Sequence, residues 1–282
     1  MTIDLDAYFR RIAYTGPRSP TREVLGAICS RHTGAIPFEN MDSLLGSSPR
    51  LAPGALQAKL VDGRRGGYCY EQNALLRLVL LELGMQVTSL AAWVVWMAAP
   101  DAPVRPRSHM LLKVALPAAP DEHFLVDVGF GGHLLGAPLR FVPGLVQHTS
   151  GGTERIVQDG DVASLEAELP AGWVPVYRFT SETYRPVDYE PLNWFTATHP
   201  GSIFRHNLRV ERLTPQLRAT LLNDKLSLRP RDGAAQTRRI ESAADLAQVL
   251  EQVFDISPPV GPDELFARIP KGLDTAYLPP VA

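Results

Sequence analysis

The chain has 282 residues, 45% of them apolar, with 28 Lys and Arg against 30 Asp and Glu. That length leaves room for about two domains with a sizeable core, and the near balance of charge excludes a global basic field for nucleic acid or an anionic membrane. Two cysteines, Cys29 and Cys69, are too few for a disulfide framework and lack the CxxC spacing of a zinc site, which points to a reducing compartment.

The N-terminus carries Asp4 and Asp6 where a signal peptide would be basic, and no apolar run approaches about 18 residues, so the cytoplasm is the expected location. Leu5, Tyr8, Phe9 and Ile12 recur at helical spacing. After a Ser19-Pro20 helix start, Leu25, Ile28 and Cys29 do the same, which puts Cys29 on an apolar stripe that His32 extends. A third helix runs from about Tyr68 through Leu75, Leu76, Val79 and Leu83 and stops at Gly84, a suitable left-handed cap. From Val87 the texture changes. The runs 87–97, 110–114, 124–128 and 174–179 are short, branched or aromatic, and broken by Pro, Gly and Asp, so they read as antiparallel strands; Asp159-Gly160 marks a further hairpin between Ile156 and Val162. Beyond about Pro200, strand-like runs at 208–213 and 225–228 precede a helix carrying Leu246, Val249, Leu250 and Val253. No repeat or low-complexity tract interrupts this order of helices, sheet, then mixed α/β.

Cys69 follows Arg64-Arg65-Gly66-Gly67-Tyr68 and opens the third helix. A thiol there meets the positive end of the helix dipole and unpaired N–H groups, both of which favour thiolate. The glycines allow a sharp turn and close backbone approach. Such a nucleophile needs a base and a group to orient it. A hairpin centred on Ala118 would set Lys113 opposite His123, Leu111 opposite Leu125 and His109 opposite Asp127, with Cβ atoms about 4.5 to 5.5 Å apart. A carboxylate between Val126 and Val128 is costly unless it is paired. The run Val128-Gly129-Phe130-Gly131-Gly132 could offer N–H groups to a pyrophosphate or admit a thioester chain, but it matches no phosphate-loop motif and alone reads as a tight turn. No serine sits in GxSxG. The remaining histidines (His32, His123, His133, His148, His199, His206) form no HExxH, so no metal is expected.

Taken together, Ile36-Pro37-Phe38-Glu39-Asn40, the run from Arg64 through Cys69-Tyr70-Glu71-Gln72-Asn73, Ser108-His109-Met110 and the run from Leu125 to Gly132 resemble the arylamine N-acetyltransferase family in order and spacing. These motifs lie in the first half of the chain; the last third resembles the family in length and at 198–204. The resemblance implies an α+β fold: an N-terminal helical bundle carrying the nucleophile (1–86), a central antiparallel β-barrel carrying His and Asp (87–200) and a C-terminal α/β lid (201–282), around a cysteine-protease-like core. It implies transfer of acetyl from acetyl-coenzyme A to an aromatic amine or hydrazine through an acetyl-cysteine, with Cys69, His109 and Asp127 as catalytic triad and the Cys69 N–H as an oxyanion donor. Phe38, Val95, Phe130 and Phe204 would then wall the acceptor pocket, and Trp96, Ser108, Gly129 and Gly131 would touch coenzyme A. Arg64 and Arg65 are expected to anchor the fold through carboxylates, with Glu39 as a structural partner. Acetyl-coenzyme A is a co-substrate rather than a resident cofactor. Neither nucleic acid nor membrane is an expected partner, and homo-oligomerisation is left open. A cysteine hydrolase of amides or peptides would use the same triad, and a macrolactam-forming amide synthase the same fold. A binding protein with a decayed site is disfavoured, since all three triad residues are present.

Overall fold

A computed structural model of the protein describes residues 3–98, 103 and 105–271. Helix α1 (Leu5–Arg11) starts at Asp4, whose carboxylate accepts a hydrogen bond from Ala7 N, and α2 (Arg22–Ala35) starts at Thr21, whose hydroxyl accepts one from Val24 N. Their expected stripes face inward, with Tyr8, Phe9, Leu25, Ile28, Cys29 and His32 all buried. After β1 (Phe38–Glu39) and two short helices, α3 (Met41–Leu44) and α4 (Pro53–Leu56), the chain makes a π-helical turn over Gln57–Asp62 and enters α5 (Cys69–Glu82). As read from the sequence, α5 opens at Cys69 and terminates where Gly84 adopts a φ of +81°.

The strands β2 (Gln86–Val94), β3 (His109–Leu116), β4 (Ala119–Val126), β5 (Leu139–Arg140), β6 (Gln147–His148), β7 (Thr153–Asp159), β8 (Val162–Leu169) and β9 (Gly172–Thr180) form one antiparallel sheet in the order β5-β4-β3-β2-β9-β8-β7-β6. It curls into a nearly closed barrel. The Gln147 amide bridges its two edges, accepting from Arg140 N and donating to Arg140 O at 2.8 and 3.0 Å. Side-chain alternation divides the hairpin residues between two cores. Leu90, Leu111, Leu125 and Phe130 fill the barrel with Leu165 and Phe179, whereas Met110, Leu112, Val114, Phe124 and Val126 pack outward against the helical bundle and α5.

Two expectations need correction. The strand expected over 87–97 ends at Val94, because Met97 turns the chain with a φ of +56°. The β3–β4 register is two residues away from the one centred on Ala118. Lys113 faces Leu125 and Ala115 faces His123, and an irregularity between Ala115 and Leu116 brings Leu116 opposite Ala119 across a short turn. A shift of two preserves which face each side chain occupies, so His109 and Asp127 still share a face, as diagonal rather than direct neighbours. Asp127 lies one residue past the end of β4.

A second sheet, β1-β10-β11-β12-β13, contains β10 (Arg209–Leu213), β11 (Leu217–Leu222), β12 (Lys225–Pro230) and β13 (Gln236–Arg239). It packs on α7 (Ala243–Gln252) and α8 (Pro262–Arg268) through Val210, Leu221, Leu246, Leu250 and Leu265. In the chain, α6 (Tyr189–Thr198) lies between β9 and β10. Because β1 pairs with β10, the N-terminal region contributes the edge of the C-terminal sheet. Among the described residues no helix is long and apolar enough to cross a membrane.

Candidate active site

Five buried or half-buried charges set the N-terminus of α5 in place. Arg65 donates from Nε and Nη2 to Glu39 Oε1 at 2.9 and 2.7 Å, and from Nη2 to Asp42 Oδ1 at 2.8 Å. Lys59 Nζ donates to Asp42 Oδ2 and Glu71 Oε1, both at 2.6 Å. The other Glu71 oxygen accepts Tyr68 N at 3.1 Å, which caps α5 from within, and Glu39 Oε2 accepts Met41 N at 2.6 Å. Three carboxylates face two cations. Burial lifts the Glu71 carboxyl to about 7 against the pull of Lys59, with Glu39 and Asp42 adding repulsion. On Lys59, burial opposes the charge, but Glu71, Glu39 and Asp42 outweigh it and raise its pKa. Gly66 and Gly67 fit this packing, since a Cβ on Gly66 would collide with Pro37 O and one on Gly67 would come within 2.8 Å of the Glu71 carboxylate. The Arg-Gly-Gly run is therefore an anchor for α5, with Arg65 and Glu39 paired as the sequence suggested. Arg64 pairs instead with Asp255 of the C-terminal region.

On this anchor Cys69 is the first residue of α5, where backbone N–H groups have no intrahelical acceptor. Its thiol is buried and donates to Ser108 O at 3.7 Å. His109, the first residue of β3, donates from Nε2 to Asp127 Oδ2 at 2.6 Å, which leaves Nδ1 for the sulfur. Burial works against an imidazolium here. The Asp127 charge and hydrogen bond, followed by hydrogen bonding and charge from Cys69, more than offset it and raise His109 to about 10. Asp127 answers in kind: burial raises its carboxyl, but His109, then Asn73 and Gly129 N, hold it below the usual range. Asp127 Oδ1 accepts Asn73 Nδ2 at 3.0 Å and Gly129 N at 2.9 Å. The three residues named from the sequence are thus brought together by α5, β3 and the chain leaving β4. Cys29 is different. Burial, aided by the nearby Asp127 charge, pushes its thiol up to about 12.

Aromatic rings continue from this centre. Phe130 meets the His109 ring edge-on at 5.1 Å and Tyr177 lies tilted beside it at 5.0 Å. Phe38 and Phe204 are 6.0 Å apart, and Tyr68 is 5.9 Å from Phe204. A Cβ on Gly131 would collide with the Phe38 ring, and one on Gly129 would reach 2.7 Å from Cys69 Cα. Close packing thus accounts for the absence of side chains at both glycines. Val95 is half-buried just past β2, with its N–H on Val176 O. Trp96 tilts over the buried His133 at 5.4 Å, and His133 Nε2 is 3.1 Å from Glu154 Oε1. Sequence reasoning gave no role to Asn73, Tyr177 or Lys59. For Asn73 a signal existed, since it stands one helical turn after Cys69 inside the same motif. Tyr177 and Lys59 reach the site only through tertiary packing.

His32, extending the Cys29 stripe as expected, is tied between Tyr8 OH at 2.9 Å and Gln72 Oε1 at 2.6 Å. Burial lowers its pKa to about 4, so the ring is a neutral structural link. Among the described residues no group of three or more His, Cys, Asp or Glu side chains could hold a metal ion.

The N-acetyltransferase family model matches residues 21–259. The chain is 43% identical over 278 residues to an arylamine N-acetyltransferase of Mycolicibacterium smegmatis, covering 98% of this chain and all of that one. A solved structure of an M. smegmatis arylamine N-acetyltransferase superposes with a TM-score of 0.89 at 41% identity, covering 95% of this chain and 99% of the other. The Mycobacterium marinum arylamine N-acetyltransferase in complex with CoA superposes equally well, with a TM-score of 0.89, 41% identity and coverage of 94% and 98%.

Proposed function

Since the chain belongs to the arylamine N-acetyltransferase family, an acyltransferase family, we propose that it acetylates arylamines and arylhydrazines from acetyl-coenzyme A by a ping-pong route through acetyl-Cys69. The observation that carries the reading is the line Cys69–His109–Asp127, with the nucleophile at a helix N-terminus and the 2.6 Å His109–Asp127 bond behind it. An imidazole held at about 10 is protonated at neutral pH and can pair with a thiolate.

In the first half-reaction the thiolate attacks the acetyl carbonyl, the bond from that carbon to the coenzyme A sulfur breaks, and His109 gives its proton to the departing thiolate. The neutral ring then takes a proton from the amine as its nitrogen attacks acetyl-Cys69. Cys69 leaves as thiolate and the ion pair is restored. Asp127 keeps Nε2 protonated and so directs Nδ1 at the sulfur. The Cys69 N–H is available to the oxyanion. The Phe38–Phe204 pair and Phe130, which meets the His109 ring, support a flat aromatic acceptor, for which Val95 is also proposed, and Trp96, Ser108, Gly129 and Gly131 are proposed for coenzyme A. Three regions, 1–86, 87–200 and 201–282, divide the work of holding nucleophile, base and lid, and the protein acts in the cytoplasm on small molecules.

The test is mass spectrometry after mixing with acetyl-coenzyme A alone. One acetyl group on the Cys69 peptide is expected, discharged by an arylamine far faster than by water or by an alkylamine of similar size. Turnover with Cys69 unmodified would reject the covalent route, and discharge by water at the same rate would favour a hydrolase.

A further inference from the structure

Asp127 receives only one of its hydrogen bonds from the ring it orients. The remaining arrangement centres on Asn73, which is buried on α5 one turn beyond Cys69. Its Nδ2 donates to Met110 O at 2.7 Å and to Asp127 Oδ1 at 3.0 Å, and its Oδ1 accepts Val128 N at 3.2 Å. Both amide hydrogens and the amide oxygen are engaged. One side chain on the nucleophile's own helix is therefore bonded to the residue after His109, to the carboxylate of Asp127 and to the residue after Asp127.

We propose that Asn73 is a positioning residue that fixes the distance between the Cys69 helix and the His109–Asp127 pair, and that keeps Asp127 an anionic acceptor for His109. The inference rests on the triad reading above. The chemistry admits few substitutes. A carboxylate could accept from Val128 N but would face Met110 O and Asp127 Oδ1 with no hydrogen to give. An aliphatic side chain would take a hydrogen bond from each of the three partners in a dry site. Gly129 N donates to the same Asp127 oxygen at 2.9 Å, so loss of Asn73 leaves that oxygen a backbone donor but takes away its link to the Cys69 helix.

The sharp variant is Asn73→Asp, examined in the full-length enzyme by acetylation kinetics and by the rate of iodoacetamide alkylation of Cys69 across pH. Two carboxyl groups in contact share a proton at low pH, where the introduced group can donate to Asp127 as the amide does; as pH rises both ionise and repel. Activity relative to the unaltered enzyme should therefore fall progressively with rising pH. With Asn73→Ala, kcat should drop about 10- to 100-fold, the size of one hydrogen bond to a charged group, with KM for acetyl-coenzyme A little changed. Its alkylation curve should move toward higher pH in the same direction as that of Asp127→Asn. Should the aspartate variant not fold, the alanine variant carries the test through its KM and kcat split and its alkylation curve. A shift with Asp127→Asn but none with either Asn73 variant would overturn the positioning role alone. No shift with Asp127→Asn itself would instead bring down the triad reading, and this inference with it.

Discussion

His109 is fully buried, yet a carboxylate and a sulfur hold its pKa at about 10, so the charge of the ring at neutral pH depends on those two neighbours. The sign follows: below about pH 10 the folded protein keeps a proton that a free imidazole begins to lose near 6.5, and stability from this interaction fades as pH rises through the folded value. In function, alkylation of Cys69 should persist at about pH 6, where an ordinary thiol is almost wholly protonated. In His109→Ala the rate at that pH should collapse and recover only toward about pH 8.5, while Asp127→Asn should shift the curve less. Cys29, its thiol pushed up to about 12 in the helical core, should remain unlabelled throughout and serves as the internal control. An ordinary thiol profile for Cys69 in the unaltered protein would refute the ion pair. Two residues of the proposed triad stand out in the sequence because each breaks a local rule: a cysteine after glycines at a helix start, and an aspartate between two buried valines. The register was less legible, since whether the Leu116–Ala119 turn carries an irregularity depends on backbone geometry that residue spacing does not encode.

The helix α5 is held by its charges as much as by its apolar faces. Arg65 and Lys59 are largely buried against Glu39, Asp42 and Glu71, so removing one cation strands carboxylates that water cannot reach. Arg65→Met should cost about 3–5 kcal/mol in urea denaturation, far more than loss of an exposed pair. Glu71 gives the element a pH signature. Its carboxyl is raised from an ordinary 4.5 to about 7 by burial, so the folded state binds the proton more tightly and stability falls as pH rises across that window. The full effect is of order 3 kcal/mol. Glu71→Gln should remove this slope, losing ground to the unaltered protein at about pH 5 and gaining on it by about pH 8. Parallel stability curves for the two proteins would show that Glu71 is ionised throughout. From sequence Arg65 and Glu39 could be paired through their motifs. Lys59 and Asp42 could not, because a single charge among uncharged neighbours, as in Ala58-Lys59-Leu60 and Met41-Asp42-Ser43, reads as the solvated face of an amphipathic helix.

At the scale of the whole chain the order of helices, barrel and α/β segment follows from the change of periodicity at about Val87 and again beyond Pro200. Two-residue strands such as β1 have no such period, and the crossing they create stays hidden. That crossing matters for folding. One core joins α1, α2 and α5 to the outward faces of β3 and β4, through Leu25, Leu75, Leu76, Met110, Leu112 and Phe124. Another joins Met41 and Leu44 to Leu208, Val210, Leu246 and Leu265. The first 86 residues thus supply parts of two cores and complete neither. Expressed alone, 1–86 would expose the apolar faces that the barrel and the C-terminal sheet normally cover, and burial of such faces is the main favourable term in folding. We therefore expect no cooperative urea transition and no dispersed amide spectrum from 1–86 or from 87–282 in isolation. Co-expression of the two pieces should restore both the transition and acetyl transfer, because the break falls between the first two residues of β2, and Gln86 and Val87 can each still pair with β3 when the pieces associate. A cooperative transition from 1–86 alone would mean that the bundle is an autonomous domain, and that the site is assembled by docking finished units rather than by folding them together.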